Sequence, residues 1–134
     1  MSLTLTTGGL GFIGSHTCIN LLNNGQDVLV IDSLVNSSNA IYIKIKNIIR
    51  SSNKSHTGKL FFIEGDIKNA EWLDTIFKKQ ISLNNPITSV IHFAGLKSVE
   101  ESVNNPLKYW RENIDSTISL LSSMNRYNCS TIVF

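Results

Sequence analysis

Short apolar runs alternate along the chain with stretches of helical periodicity. Leu3–Thr7 is a brief run with several β-branched positions that leads straight into glycines. Asp27–Asp32 (DVLVID), Lys59–Glu64 (KLFFIE) and Thr88–Phe93 (TSVIHF) are continuous apolar stretches bounded by turn residues, the pattern of strands covered on both faces. Thr131–Phe134 begins a fifth. A first helix is predicted to start within Gly11–Ser15, to carry Ile19, Leu21 and Leu22 inward, and to stop at Asn24–Gly25. Trp72, Ile76 and Phe77 recur at helical spacing in Glu71–Lys79. A longer helix spans roughly Pro106–Tyr127, with Tyr109, Ile114, Ile118 and Leu121 as its expected inner stripe. Ile41–Ile49 fits either period. Helix is favoured, because adjacent parallel strands need a crossover element between Asp32 and Lys59. Ser51–Gly58 is then a polar surface loop. This alternation predicts an α/β fold with a doubly wound parallel sheet.

Composition narrows the function classes. The 134 residues include 42% hydrophobic and 16% charged positions, enough apolar material for a core and too little charge for disorder. Such a length is one domain or part of one. The net charge of +2 comes from scattered basic residues, so no nucleic-acid partner is expected. No apolar run approaches the roughly 20 residues of a membrane helix, and the first residues lack the features of a secretory signal. Cys18 and Cys129 match no metal spacing and read as small buried hydrophobes in a reducing cytoplasm. Three glycosylation sequons, at Asn36, Asn53 and Asn128, read as chance products of an Asn- and Ser-rich chain.

The chemistry concentrates at Thr7-Gly8-Gly9-Leu10-Gly11-Phe12-Ile13-Gly14, which leaves a strand and opens a helix. In that context Gly8 permits the tight turn, Gly11 lets backbone approach a pyrophosphate, and Gly14 lets the helix pack close to the sheet. Amides at the helix start then face an anion. Asp32 ends the second strand, where a carboxylate can accept from a ribose diol. Ser33 and Leu34 supply no arginine for a 2′-phosphate, so the expected cofactor is NAD and not NADP. These features predict a Rossmann-type NAD-binding fold, truncated after about five strands.

The Thr-Gly-x-x-Gly-x-x-Gly spacing resembles the extended short-chain dehydrogenase/reductase superfamily. The strings TGGLGFIGSHT (7–17), VIDSLVNSS (30–38) and VIHFAGLKSVEESVNNPLKYW (90–110) are similar to the amino-terminal part of the UDP-glucose 4-epimerase (UDP-galactose 4-epimerase) family. The resemblance runs from Leu3 to Phe134, with an insertion-like stretch at 37–58. It implies that Phe12 and Ile13 meet the pyrophosphate through backbone groups. It further implies that Asp32, Ser33, Leu34, Val35, Asn36 and Ser37 wrap the adenosine ribose, and that Asp66 and Ile67 hold the adenine. Phe93, Ala94 and Gly95 would line the cofactor, Lys97 would supply a cation, and Asn113 would support the active site. Asp66 also reads as a turn residue, Phe93 as core and Lys97 as a surface lysine; His92 reads as packed and not catalytic. Departures from the family pattern are Thr6 in the first strand, Ser116, Glu112 and Glu100.

The family's activity interconverts UDP-glucose and UDP-galactose through a 4-keto sugar. It depends on a Ser/Thr after the fifth strand and on a later Tyr-x-x-x-Lys, which this chain ends before. Residues 1–134 are therefore expected to form a partial NAD-binding domain without the carboxyl-terminal UDP-sugar domain, to hold no catalytic residue or metal, and to be inactive alone. Tyr42 and Lys46 fit Tyr-x-x-x-Lys literally but lie on the adenosine side. Ile132–Phe134 would leave an apolar edge, and a homodimer is conceivable only for the full length. The alternatives are another extended short-chain nucleotide-sugar enzyme, a dehydratase or decarboxylase, or a non-catalytic Rossmann-like fragment.

Overall fold

The computed structural model describes residues 3–52, 54 and 56–134. Asn53 and Ser55, which belong to the second sequon and the polar loop, lie outside the described residues. Strands β1 (Leu3–Thr7), β2 (Asp27–Asp32), β3 (Leu60–Glu64), β4 (Ile87–His92) and β5 (Thr131–Val133) form one parallel sheet in the order β3-β2-β1-β4-β5. Helices α1 (Phe12–Asn23), α2 (Asn39–Arg50), α3 (Ala70–Ser82), α4 (Val99–Asn104), α5 (Pro106–Trp110) and α6 (Ser116–Arg126) connect them, and a π-helical turn at Arg111–Asp115 joins α5 to α6. The ambiguous isoleucine run is helical, as the crossover argument requires.

Period-two alternation divides the apolar residues between two cores. Val28 and Val30 of β2 pack with Leu10, Cys18, Leu22 and Ile45 beneath α1 and α2. Leu29 and Ile31 face the other way and join Leu3, Leu5, Leu73, Phe77 and Leu120 beneath α3 and α6. The chain winds outward from β1 to β3, then crosses back through α3 to β4. That reversal opens a crevice at the carboxyl ends of β1 and β4, where ligands of open α/β sheets bind.

β1 is LTLTT and every residue in it is buried. Its three hydroxyls are all partnered, Thr4 with Ser89 Oγ at 3.0 Å, Thr6 with Cys18 Sγ at 3.4 Å and Thr7 with His92 Nδ1 at 2.6 Å. Thr6, the departure in the first strand, thus meets the partner its burial demands. Desolvation pushes the Cys18 thiol up to about 11, so it stays protonated.

Two expectations need correction, and one short helix was not anticipated. The stretch after Lys97 contains a short helix, α4, whose Ser98 Oγ accepts from Glu101 N at 3.3 Å. The long helix is interrupted by the π turn, and its inner face is not the isoleucine stripe. Ile114, Ile118 and Leu121 are 44%, 57% and 45% exposed, whereas Ser116, Leu120, Ser123 and Met124 are buried. Serines fill that face because their hydroxyls find partners there: Ser123 donates to Asp74 of α3 and Ser116 to the Asn113 carbonyl one turn back. Finally, Gly14 is tight against the glycine loop and not the sheet. A Cβ there would lie 2.6 Å from Gly8 O and 2.8 Å from Gly9 Cα.

Candidate functional site

At the crevice, the sheet's carboxyl ends and the following loops enclose a cleft of about 320 Å³. Gly8 turns the chain out of β1 with φ +65°, and its amide donates to Ile31 O at 2.8 Å. A Cβ on Gly8 would lie 2.7 Å from Ala94 N, so the loop rests directly on the backbone after β4. Gly9, which the motif reading passed over, performs the close packing on the sheet: a Cβ there would meet Thr6 Oγ1 at 2.6 Å and Val30 Cγ1 at 2.9 Å.

Gly11 differs from both. Its φ of −71° is open to any residue, and a Cβ would meet only Gly8 O, at 3.3 Å. The missing side chain therefore leaves free volume on the cleft wall. Gly11 is also the N-cap of α1, which has no side-chain cap and no acidic residue in its first turn. The Phe12, Ile13 and Gly14 amides thus have no intrahelical acceptor. In contrast, Ser38, Asn69 and Ser98 cap α2, α3 and α4.

Asp32 is the hub. It is buried, and its Oδ2 accepts from Leu10 N at 3.0 Å while Oδ1 accepts from Leu34 N at 3.0 Å and Ser37 Oγ at 2.7 Å. One carboxylate so fixes the glycine loop and the β2–α2 loop together. Leu34 has a left-handed φ of 59°, and its side chain packs on the core beneath α1 and α2. It serves the site only through its amide.

Of the sequence-derived set, Gly8, Gly11, Phe12, Asp32, Ser33, Val35, Asn36, Ser37, Asp66, Ile67, Phe93, Ala94, Gly95 and Lys97 line the cleft. Ile13, Gly14, Leu34 and Asn113 do not. The Ile13 side chain faces solvent on the outer side of α1. Asn113 stands behind the wall, its Oδ1 accepting from Leu96 N at 2.7 Å and its Nδ2 donating to Leu96 O at 3.0 Å. This pins the β4–α4 loop, a supporting role made possible by the π turn. Asp66 lines the cleft and accepts from Lys68 N at 2.9 Å in an Asx turn, as its turn reading expects. Ile31, Gly65, Leu96, Glu112 and Ser116 complete the lining; Ile31, Gly65 and Leu96 carried no signature in the sequence, and Glu112 and Ser116 stood out there only as departures from the family pattern.

His92 is buried beneath the same loop, and burial lowers its pKa below the ordinary histidine value. The Thr117 hydroxyl donates to Asn113 O at 2.7 Å, so it accepts from His92 Nε2 at 3.1 Å. His92 therefore carries its proton on Nε2, and Nδ1 accepts from the Thr7 hydroxyl, itself an acceptor for Ala94 N at 3.4 Å. The packed histidine ties β1, β4 and the start of α6 together. Tyr42 and Lys46 lie on α2 with the ammonium 5.3 Å from the ring centroid, a cation–π contact on the far side of β2.

The cleft matches a dinucleotide in its chemistry. It offers uncapped helix amides, a side-chain-free wall at Gly11 and a buried carboxylate with one acceptor site still open on Oδ2. Fold and cleft together define a Rossmann-type domain of the short-chain dehydrogenase/reductase pattern.

The family model described as GDP-mannose 4,6 dehydratase matches residues 5–134, and the chain belongs to that family. It is 45% identical over 131 residues to a UDP-glucose 4-epimerase of Bacillus subtilis (strain 168), covering 97% of this chain and 35% of that protein. It is 42% identical over 130 residues to a bifunctional UDP-glucose 4-epimerase and UDP-xylose 4-epimerase of Pisum sativum, again covering 97% and 35%. Among solved structures, the UDP-glucose-4-epimerase of Stenotrophomonas maltophila with bound NAD and formylated UDP-arabinopyranose superimposes with a TM-score of 0.87 at 34% identity, covering 100% of this chain and 36% of that one. The Bifidobacterium longum enzyme in complex with NAD+ and UDP gives 0.84 at 36% identity, covering 99% and 36%. The chain thus spans about a third of the length of these relatives. Among the described residues no helix is long and apolar enough to cross a membrane.

Proposed function

We propose that this chain is the NAD-binding front of a UDP-glucose 4-epimerase. The observation that carries the reading is the Asp32 cradle beside the open Gly11 wall and the uncapped α1. Phe12, Ile13 and Gly14 would present amides to the diphosphate. Asp32 would accept from the adenosine ribose diol, with Asn36 and Ser37 beside it, and Asp66 and Ile67 would border the adenine. Phe93, Ala94 and Gly95 would line the way to the nicotinamide, with Lys97 exposed at the rim. Bound there, NAD would supply a hydride acceptor and donor for C4 of the sugar. The chain's own part is to bind, to orient and to hold the β4–α4 loop through Asn113 and His92. The Ser/Thr, the Tyr-x-x-x-Lys pair and the UDP-sugar domain would belong to further sequence, so the 134 residues alone bind without turnover. A reducing cytoplasm remains the proposed compartment. A homodimer is the proposed assembly of a complete protein, supported by the exposed apolar stripe of Leu107, Trp110, Ile114, Ile118 and Leu121.

Calorimetric titration of the purified chain tests this. NAD should bind, NADP should bind more weakly, and UDP-galactose should not be converted. A folded sample that gives no heat with NAD refutes the proposal. The description of the matching family model supports a second reading, a nucleotide-sugar dehydratase. Assay of a longer gene product separates the two, since an epimerase yields an isomeric sugar and a dehydratase a deoxy keto sugar.

A further inference from the structure

Two carboxylates besides Asp32 line the cleft, Asp66 from the β3–α3 loop and Glu112 from the π turn. Three acids are a poor environment for a diphosphate, whose own negative charge they oppose. Lys68 stands between two of them. Its Nζ lies 2.5 Å from Glu112 Oε1 and 3.4 Å from Asp66 Oδ2. Its backbone is held as well: its amide donates to Asp66 Oδ1 at 2.9 Å and its carbonyl accepts from Ser119 Oγ at 3.1 Å. The side chain thus has little freedom to leave. It joins the β3–α3 loop to the π turn, elements separated by 44 positions in the sequence.

We propose that Lys68 is a positioning residue of the cleft, neutralising Glu112 and aligning Asp66 so that an anionic dinucleotide can enter between them. This rests on the reading of the cleft as an NAD site. Charge and geometry act together here. Lys68 uses both Asp66 oxygens, which orients the carboxylate while leaving lone pairs for an incoming amine. It also draws Glu112 into an ion pair in place of a free anion facing the cleft. The Glu112 hydrogen bond, as the main cause, raises the Lys68 pKa above its ordinary value, so Lys68 stays protonated. The neutralisation therefore does not vary near neutral pH.

The test is NAD binding by calorimetry on the purified chain and its variants, with circular dichroism to confirm folding. Lys68→Met should weaken NAD by about ten-fold at low salt, the equivalent of one charge-assisted contact. The deficit should shrink at about 1 M salt, where the Debye length is about 3 Å. Lys68→Arg should retain affinity, and Lys68→Met combined with Glu112→Gln should return to within about three-fold of the parent, because the offending charge is gone. Glu112→Gln alone gives a second measure should Lys68→Met fail to fold, and it should bind NAD at least as tightly as the parent. If the parent binds NAD but Lys68→Met binds it equally well, this inference alone falls. It also falls if the loss is salt-independent and persists in the double variant, or if Glu112→Gln weakens binding. Failure of the parent to bind overturns both this inference and the function proposed above.

Discussion

Replacing Asp32 with Asn tests the cradle most directly, because the substitution is nearly isosteric and changes only charge and one acceptor. The amide oxygen can keep one of the two carboxylate positions. If it stays at Oδ1, the bonds from Leu34 N and Ser37 Oγ survive and the buried Leu10 N–H faces an amide donor. An orphaned buried donor costs about 1–3 kcal/mol. The two surviving bonds each lose about 1 kcal/mol of charge assistance. Relief from burying a charge offsets a similar amount, so the expected loss is about 2 kcal/mol. For a chain of this size that lowers the melting midpoint by roughly 6–10 °C. Thermal and urea unfolding followed by circular dichroism without cofactor measure it, and a midpoint unchanged within error would refute the cradle argument. A separate titration reads the ligand: loss of a charged acceptor for the ribose should weaken NAD by at least about ten-fold. Lowered stability with unaltered NAD affinity would make Asp32 a purely structural residue.

Other outcomes follow from the same geometry. Gly11→Ala should leave unfolding free energy within about 0.5 kcal/mol, since the added methyl meets only Gly8 O, yet weaken NAD measurably by calorimetry. Gly8→Ala should cost about 3 kcal/mol in urea unfolding, from a positive φ and a 2.7 Å approach to Ala94 N. His92 has its pKa lowered by burial, so the unfolded chain binds its proton more readily. Its contribution to stability is present above the unfolded value of about 6.5 and is lost as pH falls toward the folded one. His92→Gln should flatten that part of a stability–pH curve. Leu120→Ala should cost about 2–5 kcal/mol and Ile118→Ala under about 0.5, which checks the corrected inner face of α6 by denaturant titration.

The strands were legible because each is a short apolar run that ends at a turn residue. β1 and β2 match their expected bounds, and the order of alternation left few topologies. The glycine loop and Asp32 were legible as well, since backbone space and a strand-end acid are local requirements. Three features were hidden for physical reasons. Hydrophobicity ranks isoleucine above serine, so it favoured the wrong face of α6, where satisfied hydroxyls allow close packing. The π turn has no composition signal, and it alters which residues point inward after Tyr109. Lys68 and Glu112 are brought together only by the folding of distant elements. The Ser98–Glu101 cap of α4 could have been found, because Ser-Val-Glu-Glu carries the capping pattern in plain view.

The threonines of β1 have a consequence for how the chain finds its alignment. A central strand covered on both sides cannot use apolar–polar alternation to choose between neighbouring offsets, since every offset buries oily side chains equally well. Thr4, Thr6 and Thr7 remove that degeneracy by acting as keys, two fitting locks on β4, Ser89 and His92, and one fitting Cys18 on α1. A one-residue slip would leave three hydroxyls without mates at about 1–3 kcal/mol apiece. That is comparable to the whole margin by which a small domain stays folded.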